Sequence, residues 1–301
     1  MNAEPVIQTN GLTKSYGKHE AVRNLSLTVG ANRITGFLGR NGAGKSTTIK
    51  MLLGLIRPTD GGGTVLGHRI SDHEKNPEMR QRIAYVAEDK PLYRYMSVEQ
   101  MMRFMASLYS DWRPDVAARL LREFELPPDR KVKHLSKGMR TKLSLLLAFA
   151  RKPDLLILDE PSEGLDPVMI ENLLQAMVAQ SAEGTAVFFS SHQIAEVERI
   201  ADHVCILERG SLLLDKPLDQ LRESYRRIDL VLPYDALDRD CSIDFSIPGV
   251  ERIRTSGRQL RVFASRNSEA VVARASELCA VSVHVSPVEL REIFLETVKE
   301  N

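Results

Sequence analysis

Long hydrophobic runs are missing from this 301-residue sequence. The densest apolar stretch, Leu143 to Ala150, falls far short of the roughly 20 residues that a membrane-spanning helix needs. The first residues are polar and contain no signal-peptide apolar region. If the protein works at a membrane, a separate chain is expected to do the spanning. An excess of either charge is missing too: 41 basic residues face 40 acidic ones. No basic stripe argues for nucleic acid as a partner. Cysteine is scarce, and the three present (Cys205, Cys241 and Cys279) are widely spaced and odd in number. They make no disulfide or metal framework, and reduced core thiols in a cytosolic protein are expected. There is no internal repeat and no low-complexity segment. The length suits one large domain, or a large one with a small one.

The most informative stretch is Arg33 to Leu52, a short apolar strand, a glycine-rich turn and an apolar-periodic helix beginning near Lys45. Gly39 and Gly44-Lys45-Ser46 are separated as in a phosphate-binding loop. Glycines let successive backbone N–H groups converge on an anion without Cβ clashes, and Gly42 adds to that freedom. The helix directs its positive dipole end at the same phosphates. In such a loop Lys45 reaches the β- and γ-phosphates, and the Ser46 hydroxyl ligates Mg²⁺. These residues predict a nucleoside triphosphate site in an α/β fold.

Around this stretch the chain alternates between patterns. Residues 6 to 29 read as an antiparallel hairpin or small sheet, with Tyr16 before a Gly-Lys turn. Tyr16 is suited equally to stacking on a nucleobase and to packing on the core. Gly61-Gly-Gly63 predicts a turn at a sheet margin before the strand Thr64-Val-Leu66, and Ile83 to Ala87 is the next strand. From Ser97 to about Ala150 the pattern is helical. Ser97 and Gln100 make a capping box, and Met101, Met102, Phe104, Met105 and Leu108 recur at core spacing. Pro114 opens a helix and Pro127-Pro128 closes it, while Ser136 caps the helix that runs from Arg140 to Arg151. Leu155 to Glu160 reads as a buried parallel strand delivering two acids to its C-terminal edge. Asp159 there is placed to hold Mg²⁺ through water and Glu160 to polarise an attacking water. The strand Thr185 to Phe189 ends in Ser190-Ser-His192, which puts a histidine at the same kind of edge. From about Leu221 short strands, a helix (Ser268 to Leu278), a strand (Ala280 to Val285) and a last helix (Pro287 to Lys299) predict a small α+β unit.

Together and in this order, these pieces resemble the ATP-binding cassette of ABC transporters, over roughly residues 5 to 222. Gly39 to Thr47, including Asn41, Gly42, Ala43, Gly44, Lys45, Ser46 and Thr47, is similar to Walker A, and Leu155 to Glu160 to Walker B with its catalytic glutamate. Leu135-Ser-Lys-Gly-Met139 resembles the ABC signature, Ser162 to Asp166 the D-loop, His192 the switch histidine, and Tyr16 the adenine-stacking aromatic. The segment Pro287 to Val298 resembles the tail of bacterial exporter-type cassettes for drugs, lipids or peptides. Two positions depart from the usual pattern. Lys137 and Met139 replace a glycine and a glutamine of the signature, although Ser136 and Gly138 are kept. Glu88 stands where the family has a Q-loop glutamine, and a carboxylate there still ligates Mg²⁺.

The resemblance implies a P-loop NTPase with a RecA-like core, an antiparallel β subdomain and a helical signature subdomain (about 92 to 152), followed by an accessory α+β domain over 223 to 301. It implies that two cassettes close head-to-tail on ATP and Mg²⁺. Ser136, Gly138 and Asp166 of one copy would then face the phosphate loop of the other, with Glu160 and His192 catalytic. It also implies separate transmembrane permease subunits, a location on the cytoplasmic face of the membrane, and export of a cargo. An importer ATPase is the alternative, and a soluble non-transport ABC ATPase a further one; the latter usually carries two cassettes or a long coiled coil, and neither is present here.

Overall fold

The computed structural model describes residues 4–75, 77–89, 91–234 and 246–298, so Cys241 and Lys299 lie outside the described residues. The chain divides into two compact units, Met1–Asp215 and Lys216–Asn301.

The first unit opens with β1 (Ile7–Tyr16), β2 (His19–Leu25) and β3 (Thr28–Val29). Ile7, Thr9 and Leu12 of β1 are buried while Gln8 and Asn10 are exposed, and the alternation slips at Gly11, whose φ is +60°. Next come β4 (Ile34–Gly39), α1 (Lys45–Leu52), β5 (Asp60–Val65), β6 (His68–Arg69), α2 (Pro77–Gln81) and β7 (Ile83–Val86). The antiparallel sheet has the order β2-β1-β5-β6, with β3 on β1. The expected turn at Gly61 to Gly63 is instead part of β5, where Gly62 and Gly63 pair with Asn10 and Thr9. A Cβ at Gly61 would lie 2.1 Å from the Gly11 carbonyl oxygen, and one at Gly63 2.4 Å from that of Gln8. These glycines serve close strand approach rather than chain reversal.

Three helices follow: α3 (Val98–Leu108), α4 (Pro114–Glu123) and α5 (Lys137–Phe149). The Ser97–Gln100 capping box forms as read. Of the apolar residues expected to fill the core from α3, only Met101 is buried; Met102, Phe104 and Met105 are partly exposed and Leu108 is exposed. Phe104, Met105 and Leu108 instead line a groove of about 700 Å³ together with Leu55, Leu92 and Tyr93. Helix α4 stops ahead of Pro127-Pro128, before Glu125 takes a φ of +53°. Helix α5 starts earlier than expected, at Lys137, because Ser136 Oγ accepts from the Met139 N–H at 3.2 Å.

The remaining elements of this unit are β8 (Leu155–Asp159), α6 (Pro167–Ala182), β9 (Ala186–Ser191), α7 (Ile194–Ile200), β10 (His203–Glu208) and β11 (Ser211–Pro217). The second sheet has the order β11-β10-β4-β9-β8-β7, and its strands from β10 to β7 run parallel. Every residue of β4, β8 and β9 is buried, as in a parallel sheet covered on both faces. The parallel strands β4, β7, β8 and β9 thus deliver their C-terminal ends to one edge, and β4 has neighbours of later sequence on both sides. Helix α7 packs on β4 at a glycine: a Cβ on Gly36 would sit 2.3 Å from Val197 Cγ1.

The second unit contains α8 (Leu218–Ser224), β12 (Arg226–Val231), β13 (Val250–Ser256), β14 (Gln259–Ala264), α9 (Ser268–Glu277), β15 (Ser282–Pro287) and α10 (Leu290–Val298). Its antiparallel sheet has the order β13-β14-β12-β15. Ile228, Leu230, Leu260, Val262, Val271 and Ala275 form its core. Ion pairs tie α10 to the strands: Arg227 to Glu292 at 2.8 Å, Arg252 to Glu296 at 3.1 Å, and Arg254 to the same Glu296. The expectation of core thiols holds for Cys205, which is buried, and fails for Cys279, which is exposed after the end of α9.

Candidate active site

The edge formed by β4, β8 and β9 gathers the titratable groups. After β4 the chain turns through Arg40 to Gly44; Gly42 and Gly44 take φ of +81° and +108°, which favour glycine. A Cβ on Gly44 would also meet the Ala21 carbonyl oxygen at 2.4 Å. Asn41 and Gly42 are exposed at the loop tip, Ala43 is buried, and Thr47 is half-buried. Lys45, at the start of α1, is 6% exposed. Its Nζ donates to the Gly39 carbonyl at 2.7 Å and lies 3.0 Å from Glu160 Oε1. A buried ammonium thus rests between the loop and the acid that follows β8.

Glu160 is 6% exposed and has a φ of +47°, a left-handed backbone rarely adopted by a glutamate. Its N–H donates to Ser190 Oγ at 3.0 Å, and the same hydroxyl donates to Asp159 Oδ1 at 2.6 Å. His192, just past β9, places Nδ1 2.8 Å from Glu160 Oε2. Lys45, Glu160 and His192 therefore form one chain of contacts through the two carboxylate oxygens. Burial raises the Asp159 carboxyl above its ordinary value, opposed by the Ser190 and Ser46 hydroxyls and by Lys45. Ser46 Oγ also lies 3.4 Å from Glu88 Oε2. Hydroxyl and carboxylate oxygens of Ser46, Asp159 and Glu88 are the hard donor set that suits Mg²⁺. A divalent cation beside the Asp159 carboxylate would offset the burial that now disfavours its charge.

Other sequence-derived residues lie in separate groups. Tyr16 ends β1, is 52% exposed and has Lys14 Nζ 5.2 Å from its ring centre. Ser136 caps its own helix, and Asp166 caps α6 by accepting from the Met169 N–H at 3.0 Å. Gly138 backs onto Gly164, whose carbonyl oxygen a Cβ would approach to 3.0 Å, and Lys137 pairs with Glu163 at 2.6 Å. The signature and D-loop segments thus join each other, while the Lys45–Glu160–His192 chain is a group of its own. Sequence reading missed Ser190, whose hydroxyl holds the Asp159 carboxylate and the Glu160 N–H. A hydroxyl at the end of the strand beside β8 was the available signal.

The ABC transporter family profile matches residues 22–163. The ABC transporter ATP-binding protein YtrB of Bacillus subtilis (strain 168) is 30% identical over 96% of this chain and 97% of its own length. The bacitracin transport ATP-binding protein BcrA of Bacillus licheniformis is 36% identical, over 74% of this chain and 73% of its own. The Nod factor export ATP-binding protein I of Cupriavidus metallidurans is 31% identical, over 97% of this chain and 96% of its own. A solved structure of the ATP binding subunit of an ABC transporter superposes with a TM-score of 0.66 at 33% identity, covering 72% of this chain and 92% of that one.

Proposed function

The chain belongs to the ABC transporter family as an ATP-hydrolysing subunit, and from that premise we propose how its residues divide the work. The phosphate loop, Gly39 to Thr47, cradles the triphosphate, and Lys45 turns from the Gly39 carbonyl and Glu160 to the phosphates. Ser46, Asp159 and Glu88 hold Mg²⁺, which neutralises phosphate charge when bound. Glu160 is the general base for water and His192 orients it; their 2.8 Å contact and the shared ion pair with Lys45 carry this reading. Tyr16 stacks on the adenine. Two copies meet head-to-tail, so that Ser136, Gly138 and Asp166 complete the site of the partner copy. That arrangement accounts for the separate grouping of these residues within one chain.

The subunit works on the cytoplasmic face of a membrane with separate permease subunits. The 700 Å³ groove beside the Glu88 loop, edged by exposed Leu55, Tyr93 and Leu108, is an apolar surface suited to such a permease. Export is the favoured direction, in keeping with the Nod factor export relative that spans nearly the whole chain. Residues 223 to 301 are an accessory domain that is not needed for nucleotide binding.

The decisive experiment is Glu160→Gln. ATP binding should persist while hydrolysis falls about 10²–10⁴-fold, the usual contribution of a general base. The trapped closed dimer should elute early in gel filtration with ATP. Hydrolysis near the wild-type rate would remove Glu160 from the base role. Ser136→Ala tests the head-to-tail arrangement: hydrolysis should fall while ATP binding by the monomer survives.

A further inference from the structure

A third buried acid lies behind the first two. Glu196, in the first turn of α7, is 5% exposed. Its Oε2 accepts from Ser162 Oγ at 3.0 Å and from Ser191 Oγ at 3.1 Å. Its other oxygen, Oε1, is buried with no hydrogen-bond partner among the described residues. Ser162 is two residues beyond Glu160, on the loop leaving β8. Ser191 is the last residue of β9 and immediately precedes His192, and its hydroxyl also accepts from the Gln193 N–H at 2.9 Å.

The contacts close a ring. Glu160 meets His192 directly at 2.8 Å, and the segments that carry these two residues are joined a second time through Ser162, Glu196 and Ser191. Helix α7 reaches this depth because Gly36 leaves room for Val197 against β4. We propose that Glu196 is a positioning residue for ATP hydrolysis, clamping the loop after Glu160 to the loop bearing His192 through one shared acceptor oxygen. The proposal rests on the assignment of Glu160 and His192 given above. Its physical basis is that Glu160 and His192 lie just past the paired ends of β8 and β9, where the strand ladder no longer fixes their spacing and a further link keeps reacting groups in place. An acceptor shared by two buried hydroxyls does this, and burial makes both bonds hard to replace with water.

The test measures steady-state ATPase kinetics of the full chain and the affinity for a fluorescent ATP analogue. Glu196→Ala should lower kcat roughly tenfold to a hundredfold, the range for a small misplacement of catalytic groups, with KM and analogue affinity within about twofold. Glu196→Gln keeps an acceptor oxygen for both serines and should return kcat to within about threefold of wild type. Ser162→Ala added to Glu196→Ala should slow the enzyme no further, since the bond to Glu196 is the one that the Ser162 hydroxyl makes and both changes remove it. A kcat in Glu196→Ala equal to wild type would overturn the clamp, as would a Glu196→Gln enzyme as slow as Glu196→Ala, or strict additivity with Ser162→Ala. If Glu196→Ala does not fold, Ser162→Ala and Ser191→Ala decide: each should lower kcat at constant KM, and two unchanged enzymes would end the proposal. Glu160→Gln run in parallel separates the failures. If it hydrolyses ATP normally, the site assignment itself falls. If it is inactive while the Glu196 and serine variants are normal, only the clamp falls.

Discussion

The two units treat charge in opposite ways. In the first, Lys45, Asp159, Glu160 and Glu196 are 6%, 1%, 6% and 5% exposed, and all lie at or behind one edge of the parallel sheet. Their compensation is local and sparse: serine hydroxyls, the carbonyls of Gly39 and Arg40, one histidine and each other. In the second unit Glu296 is the most enclosed carboxylate of the ion pairs among the described residues, and the arginines facing it keep more of their surface. Arg254 and Arg261 keep 48% and 54% of their side-chain surface, and each has a carboxylate partner, Glu296 and Asp229. Exposed pairs contribute little individually and tie a helix to a sheet in numbers. Buried charges with few partners lower stability unless their geometry is fixed. The contrast is one of placement: the first unit buries its acids at the edge proposed as the active site, and the second uses its charges to fasten a helix to a sheet.

That contrast can be tested by perturbing each side in turn. The largest effect is expected for Lys45→Ala, which removes the buried ammonium facing Glu160. ATP binding should weaken by about 2–5 kcal/mol, the usual penalty for truncating a buried charged partner. Titration with a fluorescent ATP analogue checks this, and unaltered affinity would remove Lys45 from the phosphate site. Leu260→Ala, in the core of the second unit, should destabilise that unit by about 2–5 kcal/mol in denaturant titrations while leaving ATP affinity alone. A parallel loss of ATP affinity would erase the division between the units. Glu88→Gln should be milder, keeping basal turnover well above the roughly hundredfold loss that marks removal of a general base. A hundredfold fall with ATP binding intact would make Glu88 the essential acid instead of Glu160. The smallest effect is expected for Arg261→Ala, less than about 1 kcal/mol of stability and smaller still in high salt. A larger change in thermal unfolding would mean that the surface network acts as a single unit.

Much of this was legible in the sequence because the signals were local. The phosphate loop, the apolar strand ending in Asp159 and Glu160, and the Ser97–Gln100 box each depend on residues within a few positions of one another. The readings that failed depended on neighbours distant in sequence. Gly61 to Gly63 looks like a turn until β1 is laid against it, and Phe104, Met105 and Leu108 of α3 look like core until the groove beside them is seen, although Met101 is core as expected. Glu196 carries no local signal of its burial. In Ile194-Ala-Glu-Val-Glu198 it reads as an ordinary helix acid, and only the absent side chain at Gly36, 160 residues earlier, lets α7 sink far enough to bury it.

The left-handed backbone at Glu160 bears on which replacements the position tolerates. A glutamate held at φ +47° carries a conformational penalty on the order of 1–3 kcal/mol. Glycine adopts that geometry freely, and asparagine more readily than most residues. The replacements that relax the main chain at this position are therefore ones that delete the acid. With Glu160 as the proposed base, stability and turnover pull this position in opposite directions: Glu160→Gly should raise stability and keep nucleotide binding while losing hydrolysis.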